Sequence, residues 1–319
     1  KVEKVLTSKR AMKADALVLA IGIRPNTAFL EGSGIEMFKG TILTDGHMRT
    51  NAEDIYAAGD CAMVTNRQTG KPAWSPMGST ANISARVLAE NLAGKDVTYP
   101  GVLGTGVAKL PGGINAGRTG LTETAARAEG YDVVTASAAV DDKAHYYPGA
   151  DVFLIKLTAD RASRKLLGVQ VPGPGAVDKV TDIGVTAISL GATVDQLQGL
   201  DFAYAPPFST AIHPFAAALN VLCNKLDGAL ESITPAEYAG GAAEGYEVVD
   251  CGRVPFISGK RYMGLTTIDG PMDGFGREDK ILLVCNKGKQ AYLAQNRLKF
   301  YGYSNTKVLE GGAAFTEFE

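Results

Sequence analysis

The chain has 319 residues, 45% hydrophobic and 21% charged, with 32 Lys plus Arg against 34 Asp plus Glu. That length exceeds one ordinary core and suits two or three domains. The composition is globular rather than disordered, and a net charge near zero argues against a nucleic-acid partner, which needs a basic face. No apolar run is long enough to cross a bilayer, and the opening Lys1-Val2-Glu3-Lys4 has no signal-peptide pattern. Of the four cysteines, Cys61, Cys223, Cys251 and Cys285, none forms a CxxC pair. Zinc-ribbon and thioredoxin chemistry are therefore not expected, and a reducing cytoplasm is the expected compartment.

In chain order, Val2 to Leu6 alternates like a strand, and Ala16 to Ile23 (ALVLAIGI) reads as a buried strand bounded by Gly22 and Pro25. Ile55-Tyr56-Ala57-Ala58 reads as a short strand ending at Gly59-Asp60. Thr80 to Leu92 reads as a helix stopped by Gly94, with Pro76 just ahead of it. Near Thr98 to Gly101 the character changes, and residues 101–227 follow an α+β pattern. Ala116 to Gly130 is partly helical, with Glu123 and Arg127 four apart. Val152 to Leu157 and Leu166 to Val171 are strands joined by a hairpin-like connection, and Asp178 to Leu190 is a helix with Gly191 as its stop. Residues 228–245 (GALESITPAEYAGGAAEG) read as a linker, drawn at 228–243. A third unit follows at 244–319, with strands at Tyr246 to Val249 and Ile281 to Val284, then Cys285 and a helix to about Tyr301.

Three constellations carry chemistry. The first is Thr50 to Asp60 (TNAEDIYAAGD). A strand ending in Gly-Asp at a sheet's C-terminal edge can set a carboxylate on a sugar or ribityl hydroxyl, and Gly59 allows close approach to the backbone. A bare Gly-Asp more often means a turn, so the weight lies on the whole segment. It resembles the second flavin motif of the flavoproteins built from two dinucleotide-binding domains. That resemblance implies that Asp60 binds the ribityl chain of FAD. Leu19 to Asn26 (LAIGIRPN) resembles the segment where the chain of that family returns from the NAD domain to the FAD domain, and Ser75-Pro76-Met77-Gly78 lies where a helix N-terminus approaches the flavin ring. The resemblance thus assigns Gly59, Asp60, Pro76, Met77 and Gly78 to cofactor binding. The family's GxGxxG loop for FAD, its redox cysteine and its second glycine loop for NAD(P)H are all missing, and Gly101 to Gly106 has the wrong spacing. A strand at Ala16 without a preceding βαβ unit cannot form a doubly wound sheet alone, so residues 1–100 are expected to be a truncated portion of the NAD- and FAD-binding domains.

The second constellation lies in residues 101–227. Gly117 to Glu123 (GRTGLTE), Tyr146-Tyr147-Pro148-Gly149 and Leu200 to Ser209 (LDFAYAPPFS) resemble the dimerisation domain of the coenzyme A-disulfide reductase and NADH oxidase group, within it the disulfide and persulfide reductase branch. The resemblance implies a homodimer formed through residues 101–227. It also makes Tyr204, and Tyr146 or Tyr147, candidate catalytic phenols, since a phenol can stabilise a departing thiolate. Interface packing is the plainer alternative. His213, before Pro214, stands where relatives often carry an acid, and a structural role is expected.

The third is Cys285 with Asn286, Lys287, Gly288, Lys289 and Gln290. A cysteine after a buried strand, followed by a glycine loop entering a helix, meets inward-facing amides, and two lysines add positive charge; both favour an anionic sulfur. A buried strand-end cysteine with solvated lysines is the alternative. With Val248-Val249-Asp250 before it and Val308 to Gly312 after it, the unit resembles a rhodanese-like α/β domain. Arg253 lies one place late, and no Gly-His-Ile segment is found. Cys61, Cys223 and Cys251 read as structural. The expected whole is an α/β and α+β multidomain oxidoreductase using FAD, NAD(P)H and coenzyme A. It would reduce coenzyme A disulfide or persulfide/polysulfide sulfur and handle sulfane sulfur through Cys285. The alternatives are a sulfurtransferase or sulfur-carrier module on a dimerisation scaffold, and an inactive rhodanese-like binding unit.

Overall fold

In a computed structural model, residues 1–316 and 318 are described. The chain divides into two compact units, residues 1–65 with 71–102, and residues 66–70 with 103–319.

The first unit opens with a hairpin of β1 (Lys4–Leu6) and β2 (Ala11–Lys13). The run Leu17 to Ile23 that follows is not the buried strand its composition suggests: it pairs with no described strand, and Ile21 is 88% exposed. An extended segment is held only by hydrogen bonds to a neighbour, and none flanks this one. A mixed sheet then forms from β3 (Met37–Phe38), β4 (Thr41–Leu43), β5 (Ala62–Thr65) and β6 (Pro72–Trp74) in that spatial order. Only β4 and β5 are parallel, so among the described residues there is no doubly wound sheet here. The expected strand at Ile55 to Ala58 shrinks to a single bridge between Arg49 and Tyr56. Its turn, with Asp54 at φ 59°, is closed by the Thr50 N–H and Oγ1–H both donating to Ile55 O, each at 2.9 Å, which leaves no room for a ladder. Helix α1 (Gly78–Leu92) turns Thr80, Ser84 and Val87 inward at helical spacing, and Val87 packs with Met48, Val64 and Tyr99.

The second unit holds two sheets. The first is antiparallel, in the order β7 (Gly106–Lys109), β8 (Ile114–Gly120), β11 (Leu166–Pro174), β10 (Val152–Asp160), β9 (Val133–Asp141). Between β8 and β9 lies the short helix α2 (Glu123–Ala128), capped by Thr122, whose Glu123 bonds Arg127 one turn on and Lys156. Helices α3 (Val177–Ser189) and α5 (Pro214–Leu226) cover one sheet face, with α4 (Val194–Gln198) between them. Their apolar sides meet Ile155, Leu157, Val169 and Val171 in a core that includes Phe215, Leu219 and Leu222. Close helix-to-sheet contact rests on Gly184: a Cβ there would stand 2.7 Å from Val169 Cγ2.

The second sheet is parallel, in the order β12 (Ser232–Ile233), β16 (Thr306–Leu309), β15 (Ile281–Val284), β13 (Glu247–Asp250), β14 (Arg261–Tyr262). All four residues of β15 are buried, because a central parallel strand is covered on both faces. Helix α7 (Lys289–Phe300) packs on β15 and β16. The segment expected as a linker carries β12, which joins this sheet beside β16, and helix α6 (Pro235–Ala239). Thr234, Pro235 and Glu237 form a capping box with proline at the first helical position. The Ala and Gly content hid this local signal.

The two sheets are joined by Glu310, immediately after β16. Its carboxylate is fully buried; Oε1 accepts from Lys225 Nζ at 2.6 Å and Ser232 Oγ at 2.7 Å, and Oε2 from Ser137 N–H at 2.7 Å. On the antiparallel side, His213 caps α5, its Nδ1 accepting from Phe215 N–H, and stacks on Phe202. Burial, helped by the Lys179 charge, holds its imidazole down to about 4.

Two outcomes follow. Glu310→Ala removes the carboxylate that accepts from Lys225 and orphans Ser137 N–H. It is expected to cost about 3–5 kcal/mol, read as a lower denaturant midpoint, while Glu310→Gln costs less. The folded pKa of His213 lies below its ordinary 6.5, so the neutral-form stability present above pH 6.5 is lost as pH falls towards about 4. The loss is about 1–2 kcal/mol after solvent screening. Melting curves of His213→Asn, which keeps a capping side chain, should fall less steeply across that pH interval than the wild type.

Candidate functional site

In the first unit, the Gly59-Asp60 turn sits against the first turn of α1. Gly59 has φ 85°, and a Cβ there would lie 3.9 Å from Ala81 Cβ. Trp74 Nε1–H donates to Asp60 O at 2.8 Å, tying β6 to the same turn. The Asp60 side chain is exposed, and no hydrogen bond to its carboxylate is found among the described residues. Pro76 and Met77 lead into α1, whose N-cap, Met77, makes no side-chain capping bond, and its first turn holds no acid. A Cβ on Gly78 would meet nothing within 4 Å. Open amides at a long helix start beside an unpaired carboxylate suit a polar ligand edge and a hydroxyl donor. The residues present fit the expected flavin contacts.

In the second unit, the two tyrosine-bearing segments are brought together. Ala144 N–H donates to Pro206 O at 3.2 Å, and Tyr147 N–H to Ala144 O at 2.8 Å. The phenols of Tyr146, Tyr147 and Tyr204 stand exposed, at 68%, 40% and 52% for the residues. They are not packed into this chain's core.

Cys285 follows β15 and is 2% exposed. Its Sγ accepts from Ala291 N–H at 3.4 Å, which holds the sulfur at the positive end of α7. Gly288, the N-cap of α7, takes the left-handed conformation at φ 90°. The loop is pinned from the other side by the turn after β16. Ala313 N–H donates to Cys285 O and Ala314 N–H to Asn286 O, both at 3.1 Å, and a Cβ on Gly312 would collide with Cys285 O. Lys287 departs from expectation. Its Nζ lies 2.5 Å from Asp141 Oδ1, so its charge is balanced by that carboxylate rather than left for the sulfur. Lys289, in the first turn of α7, is exposed, and Gln290 half-buried. Because Asp141 ends β9 and the chain runs on into Tyr146 and Tyr147, the Lys287 pair fastens the cysteine loop to the strand that leads to the phenols.

Asp250 is fully buried and accepts from Gly252, Phe256 and Ile257 N–H at 2.7 to 3.0 Å, ordering the loop after β13. Arg253 is exposed. Sequence reasoning passed over Glu310, whose role depends on partners far away in the chain. It also took Cys251 for core alone, although the parallel register sets it beside Cys285.

Residues 1–81 match the pyridine nucleotide-disulphide oxidoreductase family and residues 113–216 its dimerisation domain. The NAD(P)H sulfur oxidoreductase (CoA-dependent) of Pyrococcus furiosus is 39% identical over 223 residues, 70% of this chain and 50% of that protein. The coenzyme A disulfide reductase of Staphylococcus aureus is 31% identical over 214 residues, 66% of this chain and 48% of that protein. The chain spans about half the length of the curated relatives it matches. Among solved structures, an NAD-dependent persulfide reductase from A. fulgidus superposes with TM-score 0.88 at 36% identity, over 96% of this chain and 56% of its own. Bacillus anthracis CoADR-RHD superposes with TM-score 0.89 at 29% identity, over 98% and 57%. With both its N-terminal residues and its antiparallel sheet matched, the chain belongs to the pyridine nucleotide-disulphide oxidoreductases, enzymes that use FAD and NAD(P)H.

Proposed function

We propose that this chain belongs to an NAD(P)H-dependent flavoenzyme that reduces coenzyme A disulfide or persulfide/polysulfide sulfur, and that its parallel-sheet unit is a rhodanese-like module carrying sulfane sulfur on Cys285. The observation that carries the reading is the fastening of the cysteine loop, through Lys287 and Asp141, to the strand running into Tyr146 and Tyr147. One connected framework thus holds both a sulfur site and phenols suited to thiol leaving groups. The likeness to the persulfide reductase and to CoADR-RHD supports this, because it runs over 96–98% of the chain and so past the dimerisation domain.

FAD, when bound, supplies hydride transfer between NAD(P)H and a disulfide. In this reading Asp60 accepts a hydrogen bond from a ribityl hydroxyl, Gly59 lets the ligand approach, and the amides after Met77 and Gly78 face the ring edge. Leu17 to Ile23 takes its place as a strand of the flavin-binding sheet, which accounts for apolar side chains that this chain leaves exposed. Tyr204 and one of Tyr146 or Tyr147 donate to the thiolate that departs from the substrate disulfide. Residues 101–227 form the homodimer contact, which leaves these exposed phenols free to serve a site they do not build alone. Cys285 accepts sulfur where the Ala291 amide meets its Sγ. The four free cysteines suit a reducing compartment such as the cytoplasm, and among the described residues no helix is long and apolar enough to cross a membrane.

In the full-length protein, NADH oxidation should proceed with coenzyme A disulfide or coenzyme A persulfide as acceptor; turnover with neither overturns the reductase reading. Tyr204→Phe should lower kcat by about tenfold to a hundredfold if the phenol acts on the leaving thiolate, with little change in folding. Cys285→Ser should abolish sulfur transfer from thiosulfate or polysulfide while leaving disulfide reduction intact. The present chain has no GxGxxG loop for the flavin pyrophosphate and should bind FAD weakly. A stoichiometric flavin absorbance spectrum of the purified chain contradicts that expectation.

A further inference from the structure

Cys251 and Cys285 stand side by side in the parallel sheet. The ladder pairs Asp250 with Val284, and Cys251 N–H continues it by donating to Val284 O at 2.6 Å. In a parallel ladder, an amide that bonds the residue before its opposite number places Cys251 directly across from Cys285. Adjacent strands run about 4.7–4.9 Å apart, inside the roughly 4.4–6.8 Å Cα separation that a disulfide spans. Both side chains point the same way. Along β13, β15 and the residue that follows each, Val249, Cys251, Ile281, Leu283 and Cys285 line one core cluster, while Leu282 and Val284 line the cluster on the opposite face. Both sulfurs are buried, Cys251 at 0% and Cys285 at 2% exposure.

We infer that Cys251 is a second reacting thiol, the resolving partner of a persulfide formed on Cys285. The inference rests on the reading that Cys285 carries sulfane sulfur. In the step, Cys251 Sγ bonds to Cys285 Sγ and the bond from Cys285 Sγ to the outer sulfur breaks. The outer sulfur leaves with the electron pair, takes the Cys251 proton and departs as hydrogen sulfide. Two cysteine sulfurs are oxidised to one disulfide as one sulfane sulfur is reduced to sulfide, so atoms and electrons balance. Two equivalents of a low-molecular-weight thiol then return the pair to thiols and are themselves joined as a disulfide, the class of substrate assigned to the reductase. The sulfur site thereby becomes a source of the disulfide that the flavin side consumes.

Desolvation, and then the neighbouring Cys285 and Asp250, push the Cys251 thiol well above the ordinary range, so its attack requires that its proton pass to the departing outer sulfur in the same step.

The test loads the reduced full chain anaerobically with inorganic polysulfide, removes excess reagent and follows sulfide release without added thiol. Peptide mass spectrometry then locates the sulfur. The expected result is prompt sulfide release and a disulfide joining the Cys251 and Cys285 peptides in the wild type. In Cys251→Ala, sulfur should persist on Cys285 with sulfide release slowed by about tenfold or more. A Cys285 persulfide of equal lifetime in both proteins, with no cross-link, overturns the inference and leaves the sulfur-carrier reading standing. No sulfur on Cys285 in either protein overturns both. Cys251→Val provides a second variant of similar volume should the alanine protein fold poorly, and the wild-type cross-link is read without any variant.

Discussion

A fully buried carboxylate must be surrounded by hydrogen-bond donors, and Glu310 meets that demand with a lysine, a serine hydroxyl and a strand amide. Each donor comes from a different part of the second unit: Ser137 from β9, Lys225 from α5, Ser232 from β12. Satisfying one side chain therefore sets the parallel sheet against the antiparallel one. Glu310 also directly precedes Gly311 and Gly312, the turn whose following amides hold Cys285 O and Asn286 O. The position of the Cys285 loop is thus inherited from a side chain that lies outside it.

A second ion pair, Lys287 with Asp141, repeats the coupling from the loop's own side. The sequence pattern suggests a cationic loop whose lysines act on the sulfur, but the structure turns one of them into a tether. The sulfur meets instead a helix-start amide, from Ala291, which carries no net charge and has a fixed direction. A dipole held by the fold keeps its aim, whereas a lysine on a flexible stem is free to find any nearby carboxylate.

Where local chemistry dictates structure, the sequence was legible. The Ile281 to Val284 run, the glycine loop and the following helix form as their composition requires, and so do the long hairpin strands of the antiparallel sheet. Strand β12 and helix α6 lie inside the Ala/Gly-rich stretch that reads as a linker, although Thr234 to Glu237 spells a capping box, because composition over a wide window outweighs a four-residue signal. The apolar run Leu17 to Ile23 reads as buried from its composition yet stands exposed, because hydrophobicity says what a segment prefers to touch and nothing about whether a neighbour is there. Ile55 to Ala58 failed for a related reason: its turn closes too tightly to allow more than one bridge.

By itself the sequence determined the family, the order of its parts and the residue types at each candidate site, since these depend on motifs only a few residues long. It also placed Asp60 after a glycine and Cys285 after a buried strand. Only the tertiary structure decided which of those residues meet. Asp141 and Lys287 lie far apart in the chain, as do Ser137 and Glu310, and no periodicity predicts such pairs. The same is true of Cys251 and Cys285: their adjacency comes from the strand order β15-β13, which the chain visits with a long excursion between. Register across a parallel sheet is settled by the packing of both faces at once, a condition that no single stretch of sequence contains.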